Sequence, residues 1–327
     1  MLEDPHRQAR LRADAIDAAG AAVRMSRRSF IKTLGISGAG TLLLGSGYGL
    51  AVEPVRRLNV TRYSVALPSW PRGHKLTIGV LADMHVGDRV MAAERFFGVV
   101  EHMNALAADI ILLLGDFVAS EGLRTHDVTP EEWADPLKIL KAPLGVHAIL
   151  GNHDWWDDDD AQDAGKGPVR HRRVLESIGI PVYENDVVRI VKDGHSFWLA
   201  GLGDQIALKL PRRRGDGGRH YYGVDDLRGT LAKIEDDAPV ILLAHEPDIF
   251  PRVPDRVALT LSGHTHGGQV RLLGYSPVVP SRYGNRYAYG HVVEGNRQLI
   301  VSGGLGCSVL PVRIGVPPEI VMIDVSA

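Results

Sequence analysis

Two pairs of ligand-type side chains, Asp83-x-His85 and His264-x-His266, open and close a stretch of polar residues set among apolar runs in this 327-residue chain. Along an extended strand end, residues i and i+2 project to one side, so each pair can grip one centre or two adjacent ones. Asp116, Asn152 and His264 each follow a glycine, which lets the backbone turn sharply and approach a phosphate or metal without a Cβ in the way. His153 and Asp154 follow Asn152 directly, and His245 ends an apolar run. Carboxylate, amide and imidazole donors together suit Mn, Fe or Zn rather than calcium, which prefers an all-oxygen shell. The single cysteine, Cys307, leaves no intrachain disulfide or Cys-rich metal site and reads as a small core residue. The expected chemistry is that of a catalytic pair of divalent ions.

Five short apolar runs must position these groups: residues 76–82, 110–114, 146–150, 240–244 and 258–261, which stop at or just before Asp83, Asp116, Asn152, His245 and His264. Continuous apolar runs of this length read as strands buried on both faces. Residues 91–107 show helical spacing of Phe96, Val99, Val100 and Met103, and further helices are expected at 174–178 and 227–234. Strands alternating with helices predict an α/β sheet whose carboxyl ends carry the chemistry along one edge, in a single catalytic domain over 75–327.

Composition supports a folded enzyme, with 45% hydrophobic and 23% charged residues. A formal net charge of −2 gives no general pull toward nucleic acid, so no nucleic-acid partner is expected and an anionic substrate must be attracted locally. Ahead of the domain, Ser26-Arg27-Arg28-Ser29-Phe30-Ile31-Lys32 resembles a twin-arginine export signal and precedes an apolar, glycine-rich stretch at 33–51. Residues 1–52 are therefore expected to engage the twin-arginine translocase and place the rest in the periplasm or on the outer face of the cytoplasmic membrane. Gly49-Leu50-Ala51 is a weak cleavage site, and an uncleaved signal would leave a membrane anchor, with Arg24, Arg27 and Arg28 kept inside. Residues 53–74, carrying Pro54, Pro68 and Pro71, read as a linker and lead-in strand.

Taken together, Asp83-x-His85, Gly115-Asp116, Gly151-Asn152-His153-Asp154, His245 and Gly263-His264-Thr265-His266 resemble, in order, the five signature blocks of the calcineurin-like metallophosphoesterase superfamily. The flanks, including Ser302-Gly303-Gly304-Leu305-Gly306 and Pro311-Val312-Arg313, are similar to its bacterial exported branch of YkuE- and YaeI-like phosphodiesterases. The resemblance implies an α/β, α+β-type fold: a four-layer sandwich of two mixed β-sheets flanked by helices. It assigns Asp83, His85 and His266 to one metal, Asn152, His245 and His264 to the other, and Asp116 to both. A shared anion and a bridging hydroxide would hold two mutually repelling ions together, and the hydroxide would attack phosphorus. His153 would stay off the metals and protonate the leaving oxygen, oriented by Asp83 or Asp154. Glu246 stands where the family carries an asparagine, putting an extra carboxylate near the metals.

Trp155 and Trp156 are expected to wall the site, and the acidic run at 157–160 to form a solvated loop. The basic run at 212–214 with Arg219 could attract phosphate or an anionic membrane surface, and Arg282 and Arg313 are candidate phosphate contacts. His102, His147, His195 and His291 read as hydrogen-bonded core histidines. The leading expectation is a phosphodiesterase or pyrophosphohydrolase acting on phospholipid or UDP-diacylglucosamine-like substrates. The alternatives are a phosphomonoesterase or phosphoprotein phosphatase, and a non-catalytic tethered module that binds metal or cell wall.

Overall fold

The computed structural model describes residues 47–119, 123–210 and 221–327. The twin-arginine motif, most of the apolar stretch after it and the basic run at 212–214 lie outside the described residues. Among the described residues, no helix is long and apolar enough to cross a membrane.

Two sheets carry the fold. The first runs β1 (Asn59–Ala66), β13 (Glu319–Ser326), β2 (Leu76–Leu81), β3 (Ile110–Leu113) and β4 (Val146–Ala148). Its β2, β3 and β4 are parallel, and β13 pairs antiparallel with β2 and parallel with β1. The second runs β11 (Gly290–Glu294), β12 (Arg297–Val301), β10 (Val257–Ser262), β9 (Val240–Leu243), β6 (His195–Gly201) and β5 (Asp186–Lys192). Its four inner strands are parallel and both edge strands antiparallel. A two-stranded ribbon, β7 (Leu208–Lys209) with β8 (Tyr221–Tyr222), stands apart.

The layering follows from the period of two along each strand. Ile78, Val80, Ile110 and Leu112 of the first sheet pack with Ile241, Leu243, Leu259 and Leu261 of the second in one apolar layer. The alternate residues Ile111 and Leu113 face outward onto Phe96, Val99, Val100 and Met103. Those four form the buried stripe of α2 (Ala93–Ala105), which follows the short α1 (Glu53–Arg56). On the far side, Val240, Leu242 and Leu299 pack against Phe250 and Tyr287, carried on short helical turns. Three apolar layers thus separate four layers of structure, as the four-layer sandwich requires.

The five apolar runs do form strands buried on both faces, but they divide between the sheets: β2, β3 and β4 in one, β9 and β10 in the other. A single sheet edge, which alternating strands and helices suggested, is not what forms, because β9 pairs with β6 and β10 rather than with β4. The segment expected as linker and lead-in strand contributes β1, which is hydrogen-bonded along its full length to β13. Trimming Leu112 to alanine in the layer between the sheets is expected to cost about 2–5 kcal/mol, read as a lower urea midpoint with an unchanged m-value.

Candidate metal centre

The strand ends continue past their last ladder bond in paired loops. The Asp83 N–H donates to the Gly115 carbonyl at 3.1 Å and the His85 N–H to the Asp116 carbonyl at 3.0 Å, so the loops after β2 and β3 advance together. The loop after β4 turns at Gly151 into α4 (Asn152–Trp156), which follows α3 (Pro130–Ala134). A Cβ on Gly151 would lie within 2.7 Å of the His245 ring, so only glycine lets this turn pass. Asp83, His85, Asp116, His264 and His266 all take positive φ, between 45° and 67°. Such conformations cost on the order of 1–3 kcal/mol each and persist only where the surroundings impose them. Here they turn side chains from two sheets toward one point.

At that point the two sheets meet through polar atoms. The His264 N–H donates to Asp83 Oδ1 at 2.8 Å, and His245 Nδ1 bonds the Leu114 carbonyl at 2.6 Å. Asp83, His85 and His266 form one cluster of potential donors: His85 Nε2 and His266 Nε2 are 3.2 Å apart, and His266 Nε2 is 3.6 Å from Asp83 Oδ1. Asp116, His245 and His264 form a second, with Asp116 Oδ2 3.2 Å from His245 Nε2. Asn152 joins it through a 2.8 Å contact of its Oδ1 with His264 Nδ1. Asp116 Oδ2 also lies 3.5 Å from His85 Nε2, so one carboxylate stands between the clusters. All seven residues expected as ligands are therefore brought together.

Their chemistry fits a pair of divalent cations. Asp83 Oδ2 is buried without a hydrogen-bond partner among the described residues, and the donors are oxygen and imidazole nitrogen with no thiolate. Burial pushes His85 down to about 3 against the pull of Asp116, and burial with nearby His85 and Arg313 holds His266 well below its ordinary value. Both imidazoles are thus neutral, the form that coordinates metal. Burial opposes charge on His245 and Asp116 as well, but their contact holds the carboxyl well below and the imidazole well above their usual ranges. Asp83 is pushed up to about 7 by burial, with Asp116 adding to the rise and His245 opposing it.

His153 sits beside both clusters. Its N–H donates to Asp116 Oδ1 at 2.8 Å, its ring stands edge-on to His85 at 4.9 Å, and its Nε2 is 3.4 Å from Ser308 Oγ. Asp154 has a different task from orienting that ring. Its carboxylate accepts the backbone N–H groups of Gly151, Asp116 and Phe117 at 2.8–2.9 Å, tying the loop after β3 to the start of α4. Glu246 is drawn to Gln205 and to Asp204, whose carboxyl is held well above the usual range by burial and by Glu246 itself.

A cavity of about 600 Å³ opens over Asp116, Asn152, His153 and His264. Of the two tryptophans only Trp156 walls it, with its ring 4.9 Å from Tyr221 and stacked. Trp155 is buried, its indole N–H on Glu184, because consecutive residues of α4 face different ways. Arg282 is not in the cavity wall; it pairs with Asp248. Arg313 lies fully buried behind the site, donating to the Gly306 and Val316 carbonyls, with Nη2 3.2 Å from His266 Nδ1. The acidic run is only partly solvated: Asp157 pairs with Arg124 and Arg170, and Asp158 caps α5 (Asp159–Ala164). Of the four histidines read as core residues, only His147 is buried and bonded, to Tyr183 and Leu144; the other three are exposed. Lys209, Tyr221, Arg124 and Ser308 line the cavity without any spacing in the sequence that marks them.

Residues 76–268 match the calcineurin-like phosphoesterase family, and the chain belongs to it. The donor clusters described above are what such a phosphoester hydrolase requires. Within the family, the chain is 32% identical over 303 residues to the uncharacterized metallophosphoesterase YkuE of Bacillus subtilis, a match covering 91% of this chain and 96% of that one. An uncharacterized metallophosphoesterase of Aquifex aeolicus is 28% identical, over 82% of this chain and 92% of its own length. The transmembrane protein with metallophosphoesterase domain of Bos taurus is 30% identical, over 79% of this chain and 54% of its own length.

Metal uptake should release protons near neutral pH, because Asp83, at about 7, and His245, held above its usual range, must both surrender theirs. Affinity for Mn²⁺ is expected to fall as pH drops through 7, and titration calorimetry in buffers of different ionisation enthalpy should read the protons directly. Replacing Asp154 with alanine, which strands three buried N–H groups, is expected to cost about 3 kcal/mol or more and to weaken metal binding about 10–100-fold. Chemical denaturation and the same calorimetry check both effects.

Proposed function

We propose that the chain is a two-metal phosphodiesterase or pyrophosphohydrolase. The observation that carries this is Asp116, a single carboxylate between two donor clusters at the floor of a cavity large enough for both arms of a diester. Asp83, His85 and His266 would hold one ion and Asn152, His245 and His264 the other, with Asp116 shared. Mn, Fe or Zn, when bound there, would supply Lewis-acid polarisation of the phosphoryl group and an activated water. The chain's own contribution is orientation. His153, fixed through its N–H on Asp116, presents its ring to the cavity and would give a proton to the leaving oxygen. Beyond it, Trp156 and Tyr221 leave room for a bulky leaving group, which favours a diester or pyrophosphate over a small monoester. A phospholipid or a UDP-diacylglucosamine-like pyrophosphate would suit that space.

Export belongs to the same proposal. The run 26–32 and the apolar stretch at 33–51 support passage through the twin-arginine translocase, with the catalytic domain left at or outside the cytoplasmic membrane. A folded protein exported by that route would carry metals loaded in the cytoplasm.

Purified protein with Mn²⁺ is expected to hydrolyse bis-p-nitrophenyl phosphate faster than p-nitrophenyl phosphate. Asp116→Asn should abolish turnover, and His153→Ala should lower kcat about 10²–10⁴-fold. A preference for the monoester would move the reading to a phosphomonoesterase. Metal-loaded protein inert toward both esters would make it a binding module. Changing Arg27-Arg28 to Lys-Lys should hold the protein in the cytoplasm, and unchanged secretion would remove the export assignment.

A further inference from the structure

Two neighbouring loops that reach the cavity through Pro280 and Val309 leave large apolar side chains exposed, uncovered by any described residue. Leu272, Leu273, Tyr275, Val278, Val309 and Leu310 are between 61% and 109% exposed. They sit on two loops that are stitched together. The Gln269 side chain donates to the Leu310 and Val312 carbonyls, the Arg271 N–H donates to Ile314 O at 2.8 Å, and Ser308 N donates to Gln269 Oε1. Val309 and Pro280, one from each loop, both line the catalytic cavity. An exposed apolar patch at the entrance of a site is a docking surface by default, since isolated soluble domains rarely leave one uncovered.

The two loops carry no carboxylate of their own that would repel an anionic surface. Residues 269–293 contain Arg271, Arg282 and Arg286 and no Asp or Glu, and residues 303–318 contain none either, in a chain whose net charge is −2. Arg282 and Arg286 are exposed and pair with Asp248 and Glu294 outside these loops, while Arg271 bonds Ser276 and Asn285. Tyr275 and Tyr283 are exposed as well, and tyrosine favours a boundary with one apolar and one wet side. The chain also enters the domain here. The Arg313 N–H donates to Gly49 O at 2.9 Å, so the helical turn Tyr48–Val52, with Leu50 exposed, lies against the same loop and directly continues the apolar stretch at 33–51.

We infer that this rim is a membrane-docking surface: Leu272, Leu273, Val278 and Leu310 enter the headgroup boundary of an anionic bilayer and present a lipid phosphoester to the cavity. The inference rests on the hydrolase reading above for its substrate class, while docking itself does not depend on it. Two anchors, the apolar N-terminal stretch and the rim, together hold the protein more tightly than the rim alone, which is enough by itself for measurable binding.

The test uses the full chain carrying Leu42→Ser, Leu43→Ser and Leu44→Ser, so that vesicle binding reports the rim. This protein should sediment with phosphatidylglycerol–phosphatidylcholine vesicles. Adding Leu272→Ser, Leu273→Ser and Leu310→Ser should lower the partition coefficient at least about tenfold and leave hydrolysis of soluble bis-p-nitrophenyl phosphate unchanged. Turnover of a phosphodiester lipid held in the vesicles should fall with the bound fraction. Failure of the starting protein to bind, equal binding by the rim variant, or undiminished lipid turnover overturns the inference. So does a dimer in size-exclusion chromatography that the rim substitutions dissolve, which would make the face a contact between two copies. If the soluble ester is not hydrolysed by either protein, the hydrolase reading fails while the vesicle result still decides the docking surface.

Discussion

Two carboxylates, Asp83 and Asp116, lie fully buried within 4 Å of the same histidine nitrogen, His245 Nε2. Burying two like charges side by side is costly unless cations or donors answer them. The rest of the site is arranged as that answer. In the protein without ions, His245 carries the compensating charge and Asp83 keeps its proton to about neutral pH. Divalent ions bound there would take over that compensation from the two protons.

Holding those charges in place falls to the backbone. The apolar layer between the sheets brings the ends of β2, β3, β9 and β10 together, and five of the donor residues are then forced into the left-handed region. The approach is so close that glycines are required on facing loops. A Cβ on Gly304, in the loop after β12, would lie 2.6 Å from the Asp83 Cβ. That loop belongs to the flanking motif beyond the matched span 76–268, and its role is to make room for the first ligand. Arg313, the largest fully buried side chain, serves the same region from behind, fixing the 306–316 loop through carbonyls and reaching the ring of His266.

The 306–316 loop has one face on the Asp83, His85 and His266 donor cluster, through Arg313, and the other on solvent, through Val309 and Leu310. Ser308 lies between them, within reach of His153. Whatever touches the rim therefore adjoins the group that would meet the leaving oxygen, with a few residues of chain between. This proximity suits a substrate held by one end in an apolar phase and by its phosphate in the cavity.

The residue types and their spacing marked the candidate donors: paired Asp-x-His and His-x-His, glycines before them and apolar runs before each block all report local backbone geometry, while their division into two sets came with the family resemblance. The four-layer fold was also legible, through the resemblance those blocks carry. Only the tertiary structure decided what depends on contacts between distant segments. The sharing of β2–β4 and β9–β10 between two sheets follows from pairing choices that runs of Ile, Leu and Val do not distinguish. Asp154 reads like a partner for its neighbour His153, yet its oxygens are taken by Gly151, Asp116 and Phe117, two of them on another loop. Trp155 and Trp156 look equivalent in sequence, but on a helix consecutive residues point about 100° apart, so one enters the core and one the cavity. Arg313 shows the same limit: a cation near a phosphate site suggests a ligand contact, and only the packing of its loop turns it to the back of His266.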